Sequence, residues 1–227
     1  MDRPDQPSDC CAPADPRIAR RFDERAAEWA DLDEFPDLVD VSARMLDLLR
    51  DAPVRRPTVL EFGCGTGGVG VALLEMDASR VTGIDLSSAS IELASRRAAA
   101  ANLGDRATFE VGNAAEADVA AHDWVVMDRV ICCFGDAEHL VTQAIAHARQ
   151  RIAITAPESR GWRGLVNRPL WALEFAWDRL RGGCRGYVHD LRGVERQMAD
   201  AGFQPTASAR IGLWHIGVYD RNESSAP

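Results

Sequence analysis

The stretch from residue 58 to residue 67 reads Thr-Val-Leu-Glu-Phe-Gly-Cys-Gly-Thr-Gly and constrains the fold of this chain most strongly. An apolar run with β-branched residues meets a glycine-dense turn, and residues 69–74 then supply the apolar content of a helix. Strand, tight turn and helix in this order open the α/β domains that bind nucleotide-like ligands. Glycine suits such a turn because it adopts positive φ and lets a ligand lie against the backbone.

The spacing of the glycines leaves two kinds of ligand open. Because Gly68 follows Gly67, the string also satisfies the G-x-G-x-x-G pattern of dinucleotide-binding domains. Glu61 argues against a pyrophosphate, since a carboxylate at the end of the strand repels a dianion and suits a cationic group. Asp85 ends the second predicted strand about 20 residues later, where a carboxylate accepts both ribose hydroxyls of either ligand.

The motif Glu-x-Gly-x-Gly-x-Gly resembles the first motif of class I S-adenosylmethionine-dependent methyltransferases. This resemblance implies S-adenosylmethionine as cofactor and a Rossmann-like, doubly wound α/β sheet of seven strands. It also implies an antiparallel C-terminal hairpin and an N-terminal helical lid. Residues 157–188 are longer than a simple crossover needs and predict a helical insert after strand five. A NAD-dependent oxidoreductase stays open as the alternative.

Residues 128–134, Asp-Arg-Val-Ile-Cys-Cys-Phe, and parts of 185–203 loosely resemble magnesium-protoporphyrin O-methyltransferases and their bacterial relatives. That likeness implies an apolar or planar methyl acceptor and does not establish a porphyrin.

The resemblance assigns the cofactor to the carboxyl ends of the first four strands. It implies that Leu86 packs on the adenine and that the loop after strand four flanks the methionine part of the cofactor. Asn113 stands where the family often has an aspartate at the adenine edge, and an amide makes the same contact without charge. The predicted cofactor-binding residues are Glu61, Gly63, Cys64, Gly65, Gly67, Asp85, Leu86, Asn113, Ala114, Asp128 and Val130.

Two helical segments are predicted around the acceptor. A helix that begins at Arg17 carries aromatic residues on one face, and it is either a lid over cofactor and substrate or a plain amphipathic helix on the sheet. A helix within residues 157–188 is apolar on two faces, so one face covers either the active site or a partner. The predicted substrate-binding residues are Phe22, Trp29, Cys132, Cys133, Trp162 and Trp171.

Methyl transfer from a sulfonium depends mainly on alignment and desolvation. A hydroxyl acceptor benefits from a base near neutral pH, and His189 is the candidate catalytic residue. A carboxylate acceptor needs no base, and Arg129 or Arg185 would hold it. O-methylation of a small molecule is the favoured activity.

The cysteines offer a second activity. Cys10, Cys11, Cys132 and Cys133 are thiols that would bind a soft metalloid such as arsenic(III), which would then be methylated. The alternative is that Cys132 and Cys133 are small packing residues. The chain has no C-x-x-C spacing, so no structural metal site is predicted.

Charge and hydropathy bound the partners. A net charge of −9 argues against a nucleic-acid substrate. No stretch approaches about 20 uninterrupted apolar residues, so no membrane span is expected. The first residues lack an apolar signal core, which predicts a cytoplasmic protein. A small-molecule substrate and a monomer or homodimer are expected.

One methyltransferase domain is predicted over residues 17–220, with a helical lid at 17–50 and a cap insert at 157–188. Residues 1–16 and 221–227 are predicted to be disordered tails.

Overall fold

The computed structural model describes residues 16–30, 35, 37–50, 55–180 and 186–222. The predicted tails lie outside these ranges except at their inner ends, because Pro16 begins the first helix and Arg221 ends the last strand. Cys10, Cys11 and Arg185 lie outside the described residues as well.

Helices separate the first five strands from one another, except that only a short 3-10 turn lies between the third and fourth strands, and this order is typical of a doubly wound domain. The elements are α1 (Pro16–Ala30), α2 (Asp40–Arg50), β1 (Thr58–Phe62), α3 (Gly68–Glu75), β2 (Arg80–Asp85), α4 (Ser88–Ala100), β3 (Ala107–Val111), β4 (His122–Asp128), α5 (Ala137–His147), β5 (Ala148–Pro157), α6 (Gly161–Leu180), α7 (Leu191–Asp200), β6 (Phe203–Ile211) and β7 (Trp214–Arg221). Short 3-10 turns cover Gly104–Arg106, Ala114–Glu116 and Ile131–Cys133.

The strands form a seven-stranded sheet in the order β3-β2-β1-β4-β5-β7-β6. Strands β1 to β5 are parallel, and β7 lies antiparallel between β5 and β6. The predicted fold class is therefore confirmed, including the C-terminal hairpin. Because the parallel strands end at one edge, the turn after β1 and the ends of β2 and β4 lie together there.

The strands are apolar because helices cover both faces of the sheet. On one face, Val59 and Val126 pack with side chains of α2 and α3, such as Met45. On the other face, Leu60 and Met127 pack with side chains of α5 and α7. Alternate residues of β1 therefore serve different cores.

Side-chain caps and a glycine set several helix ends. The Ser87 hydroxyl accepts the Ser90 backbone N–H and caps α4, and Asp136 caps α5 through the His139 N–H. Gly202 follows α7 with a φ of 87°. Helix α2 begins at Asp40, where an acidic residue in the first turn favours the helix dipole.

An ionic network around the buried Glu158 joins the chain between β5 and α6 to α7, β6 and β7. Glu158 binds Arg160 at 2.9 Å and Arg210 at 2.8 Å, and Arg160 continues to Glu195 at 2.8 Å. The same guanidinium donates from Nη2 to Nδ1 of His215 at 3.1 Å. These contacts fix the beginning of α6 on the C-terminal hairpin.

Candidate active site

The turn after β1 is left-handed at all three predicted glycines. Gly63, Gly65 and Gly67 have φ values of 66°, 49° and 73°. A Cβ on Gly63 would lie 2.9 Å from Cβ of Val130, and closer still to its Cγ2. At Gly65, no described atom lies within 4 Å of the position that a Cβ would take. The turn is thus closed on the side of Val130 and open at Gly65, where a ligand can approach the backbone.

Asp85 at the end of β2 is oriented by the chain itself. Its Oδ2 accepts the Gly65 backbone N–H at 2.8 Å, and its Oδ1 accepts the Ser87 backbone N–H at 2.9 Å. Burial raises the pKa of Asp85, while these N–H donors oppose the rise. Each carboxylate oxygen keeps a further lone pair, so the group can still accept two hydroxyls, as a ribose requires.

Glu61 of β1 lies against α3, where a Cβ on Gly70 would meet its Oε2 at 2.8 Å. The side chain is buried, and Oε2 has no hydrogen-bond partner in the described part of the chain. Burial raises its pKa well above the usual range, and Asp128 and Asp85 raise it further. The Gly70 N–H and Arg97 act in the opposite direction. Contact between Glu61 and a ligand ammonium group stays a prediction.

Asp128 at the end of β4 is held by two hydroxyls. Ser42 of α2 donates to its Oδ2 at 2.5 Å, and Thr155 of β5 donates to its Oδ1 at 2.6 Å. The Thr155 hydroxyl also accepts the backbone N–H of Arg129, whose φ is 56°. This network sets the direction in which the chain leaves β4 toward Val130.

The loop after β3 has a local capping arrangement. Asn113 accepts the Ala115 backbone N–H through Oδ1 at 3.0 Å and caps the 3-10 turn that follows. Ala114 and Cys64 are buried. Burial raises the pKa of the Cys64 thiol, and Glu61 adds to the rise. Contacts of these side chains with the cofactor stay predictions.

Helix α1 lies against the start of α4 beside this site. Oδ1 of Asp23 accepts the Ser87 hydroxyl at 2.6 Å and the Ala89 backbone N–H at 3.1 Å. The buried Ile18 forms a small apolar cluster, the α1 cluster, with the partly buried side chains of Phe22, Leu86 and Tyr187.

Sequence comparison relates this chain to methyltransferases. A sequence profile described as a methyltransferase domain matches residues 59–155. The chain is 29% identical over 190 residues to the 27-O-demethylrifamycin SV methyltransferase of Amycolatopsis mediterranei, which covers 80% of this chain and 67% of that protein. It is also 29% identical over 152 residues to the ubiquinone biosynthesis O-methyltransferase of Neisseria meningitidis serogroup C, and this match covers 65% and 61% of the two chains.

The fold resembles that of a solved methyltransferase. The magnesium protoporphyrin IX methyltransferase of Synechocystis PCC 6803, solved with bound SAH (S-adenosylhomocysteine), aligns with a TM-score of 0.69 at 18% identity. The alignment covers 90% of this chain and 98% of that one. The matched profile contains both the glycine turn and Asp85. Residues 59–155 are a methyltransferase domain, and the seven-stranded sheet has the fold of a class I S-adenosylmethionine-dependent methyltransferase. The cofactor left open by the glycine pattern is therefore S-adenosylmethionine.

In this methyltransferase, the loop after β4 carries two adjacent thiols. The Sγ atoms of Cys132 and Cys133 lie 3.3 Å and 3.7 Å from the carbonyl oxygen of Arg129. Cys132 is buried and Cys133 is partly exposed. A hydrogen bond from Cys132 lowers the pKa of Cys133, and Arg21 and Arg129 lower it further.

His189 lies against the same loop. Its Nε2 is 2.7 Å from the Phe134 carbonyl oxygen, and its ring stacks on Tyr187 with centroids 5.4 Å apart. The Tyr187 backbone N–H donates to the Cys132 carbonyl at 2.8 Å. Burial lowers the pKa of His189, so the ring is neutral near pH 7. Because a carbonyl only accepts, Nε2 carries the proton.

The three predicted tryptophans lie apart from the α1 cluster. Trp29 is partly exposed near the end of α1. Trp162 is exposed in the first turn of α6, with the Arg163 guanidinium 4.6 Å from its ring centroid. Trp171 packs edge-to-face on Trp214 of β7 at 6.0 Å. Their contact with a substrate stays a prediction.

Sequence reasoning missed four residues that shape the site: Asp23, Ser42, Thr155 and Tyr187. Asp23 directly follows the predicted lid residue Phe22, but nothing local pairs it with α4. Thr155 of β5 stands opposite Asp128, the last residue of β4, in the parallel register, and the sequence pattern did not fix that register.

Proposed function

We propose that this methyltransferase transfers the methyl group of S-adenosylmethionine to a hydroxyl group of a small apolar or planar molecule. The observation that carries the proposal is the α1 cluster, which places Phe22, Leu86 and Tyr187 together beside Asp85. An apolar lining next to the cofactor suits an apolar acceptor. One of the two relatives is named as a 27-O-demethylrifamycin SV methyltransferase and the other as a ubiquinone biosynthesis O-methyltransferase, and both names support methylation at oxygen.

The residues present fit the cofactor. Asp85 would accept the ribose hydroxyls, and the open turn at Gly65 would receive the cofactor against the backbone. When bound, the cofactor supplies a methyl group on a positively charged sulfur. The chain contributes alignment of the acceptor and exclusion of water, which are the main requirements of a displacement at carbon. We infer that α1 is part of a helical lid formed by residues 17–50. We also infer that α6 is part of a cap insert formed by residues 157–188.

His189 is the proposed base. With its proton on Nε2, the neutral ring has its basic lone pair on Nδ1, the atom that would take a hydroxyl proton. The hydrogen bond to Phe134 also gives His189 a positioning role. A His189→Gln variant separates the two roles, because glutamine keeps a donor but is not basic. If His189 is the base, the variant loses the rising limb of the pH–kcat/KM profile; an unchanged profile would assign only positioning.

The experiment for the proposed function measures cofactor binding and turnover separately. Calorimetry with SAH and with NAD should show binding of SAH alone, and Asp85→Ala should weaken it by roughly a hundredfold. Turnover is then followed as SAH formation over a panel of phenols, hydroquinones and aliphatic carboxylates. Hydroxyl acceptors should be methylated. Methylation of carboxylates alone, or binding of SAH without turnover on any acceptor, would overturn the assignment.

Asp105→Asn is a matched control for Asp85→Ala, because Asp105 lies in an exposed 3-10 turn. We expect this variant to bind SAH like the wild type.

Thiol-assisted methylation of arsenic(III) is a second candidate, supported by the convergence of Cys132 and Cys133 on one carbonyl oxygen. Among the described residues, no group of three or more His, Cys, Asp or Glu side chains is arranged to hold a metal ion. The test supplies arsenite and S-adenosylmethionine to the wild type and to Cys132→Ser/Cys133→Ser. Methylated arsenic from the wild type and none from the variant supports this activity. No methylated arsenic from the wild type, or equal yields from both proteins, removes these thiols as ligands.

The net charge of −9 supports the proposal that nucleic acid is not a substrate. A cytoplasmic location and a monomer or homodimer also remain proposals. In the described part of the chain, no helix is long and apolar enough to cross a membrane.

A further inference from the structure

The described part of α6 exposes a continuous apolar face, the α6 stripe. Its members recur at helical spacing, so they project from one side of the helix. Trp162, Leu165 and Leu173 are 62%, 76% and 71% exposed. The stripe consists of Trp162, Leu165, Val166, Leu170 and Leu173. A contiguous exposed surface of this kind marks an interaction site.

Contacts on the opposite face of α6 hold the α6 stripe at the protein surface. Asn167 is fully buried and donates from Nδ2 to the carbonyl oxygens of Glu158 and Leu213, both at 2.8 Å. Trp171 packs on Trp214 one turn later. Because these contacts hold α6 on the hairpin, the stripe cannot turn inward without breaking buried hydrogen bonds.

Arginines border the α6 stripe, and residues 161–173 contain no Asp or Glu. Arg163 lies on one flank, where its Nε donates to the Gly212 carbonyl at 3.1 Å. On the other flank, a groove of about 680 Å³ is lined by Trp162 and Leu165 of the stripe together with Arg168 and Arg192.

The single acidic residue that lines this groove is Asp190, within the described part of the chain. Its Oδ1 accepts the Arg192 backbone N–H at 3.1 Å and caps α7. A chain whose net charge is −9 thus has a locally positive border around its exposed apolar helix.

We propose that the α6 stripe docks on an anionic lipid bilayer, with Trp162, Leu165 and Leu173 in the interface and Arg163, Arg168 and Arg192 against lipid phosphates. A helix with an apolar face of Trp and Leu and with flanking arginines is suited to lie in the plane of a membrane surface. A second copy of this chain fits less well. A two-fold pairing of the stripe brings the same arginine rows against each other, whereas lipid phosphates complement them. Docking needs neither cofactor nor acceptor, so it stands independently of the proposed function.

The experiment uses the full chain and sedimentation with vesicles of phosphatidylcholine alone or with half phosphatidylglycerol. We expect the protein to bind the anionic vesicles and this binding to weaken as salt is added. Binding to vesicles of phosphatidylcholine alone should be at least roughly tenfold weaker. Leu165→Glu/Leu173→Glu should weaken vesicle binding by roughly tenfold or more, because both leucines leave water on docking. Arg168→Glu/Arg192→Glu should remove the preference for phosphatidylglycerol.

The matched control is Val39→Glu/Val111→Glu, which adds two carboxylates at exposed apolar positions outside α6. It should bind vesicles like the wild type, and the SAH affinity of every variant should be unchanged if the fold is intact. Three results would overturn the proposal. The first is equal vesicle binding by the control and the Leu165/Leu173 variant. The second is a wild-type dimer in solution that the Leu165/Leu173 substitutions abolish, with no vesicle binding. The third is binding of inorganic phosphate at Arg168 and Arg192 without vesicle binding.

Discussion

Asp23 of α1 and Ser87 at the start of α4 share a 2.6 Å hydrogen bond, in which the Ser87 hydroxyl donates to Oδ1 of Asp23. The Ser87 backbone N–H donates to Asp85, and the Asp85 carboxylate in turn accepts from Gly65. One serine therefore connects α1 to the carboxylate assigned to the ribose. The position of α1 and the shape of the cofactor site are coupled through this residue.

Asp23→Ala should weaken binding of SAH by about three- to tenfold. The substitution leaves the Ser87 hydroxyl and the Ala89 N–H without their acceptor, which costs about 1–2 kcal/mol of helix docking. Calorimetry with SAH and limited proteolysis of α1 measure the two effects. Glu24→Ala is the matched control, since Glu24 makes an exposed pair with Arg20 on the same helix. Unchanged SAH affinity in Asp23→Ala would show that α1 and the cofactor site are uncoupled.

Gly63→Ala should destabilise the fold more than Gly65→Ala. Both positions have left-handed φ, so each alanine costs roughly 1–2 kcal/mol of backbone strain. At Gly63 the new Cβ also meets Val130, whereas at Gly65 no described atom is near. Urea unfolding without cofactor measures the difference, and Gly63→Ala/Val130→Ala should recover part of the loss. Equal destabilisation by the two single variants would contradict the packing argument.

Gly65→Ala should nevertheless lose SAH binding while it keeps most of its stability. The ligand is expected to approach the backbone in the space beside Gly65. A methyl group there would block the ligand but would not clash with the rest of the protein. Calorimetry on the folded variant is the measurement. A folded Gly65→Ala with wild-type affinity would move the cofactor away from this turn.

The elements of the domain were readable from the sequence because their signals are local. The β1 turn and the end of β2 at Asp85 each depend on residues within a few positions of one another. The carboxyl ends of parallel strands then bring Asp85 and the turn together, since the topology requires it.

The side-chain network of the site was not readable, because its partners are far apart in the chain. Ser42 and Asp128 are separated by 86 residues, and Asp23 and Ser87 by 64. Periodicity identified the apolar faces of α6 but not which one packs inward. The buried amide of Asn167 and the contact of Trp171 with the hairpin decide that, and both depend on tertiary structure.

Cys133 should be the fastest thiol to react among Cys64, Cys132 and Cys133. Its pKa is lowered by the hydrogen bond from Cys132 and it is partly exposed, whereas burial raises the pKa of Cys64. Peptide mapping after timed iodoacetamide labelling measures each rate. Cys132→Ala removes the hydrogen bond, so labelling of Cys133 near neutral pH should slow several-fold. Faster labelling of Cys64 than of Cys133 would contradict the assignment.

The last prediction concerns His215 and stability in acid. Burial lowers the pKa of His215 to about 4, and the Arg160 guanidinium adds to this effect. Between the unfolded value of about 6.5 and this folded value, the unfolded chain binds more protons, so stability falls as the pH falls. His215→Gln keeps an acceptor for Arg160 and does not titrate. It should therefore lose less stability than the wild type between pH 6.5 and 4, by an amount on the order of 3 kcal/mol.

Urea unfolding at a series of pH values measures this difference, and His139→Gln on the exposed side of α5 is the control that should follow the wild type. Titration of His122 and His189 is common to all three proteins and cancels in the comparison. Below about pH 4.5 both wild type and His215→Gln should lose further stability together. In that range Glu158, whose pKa lies at about 2 beside Arg160 and Arg210, begins to be protonated in the unfolded chain. Parallel curves for wild type and His215→Gln above pH 4.5 would show that His215 is not held neutral by the fold.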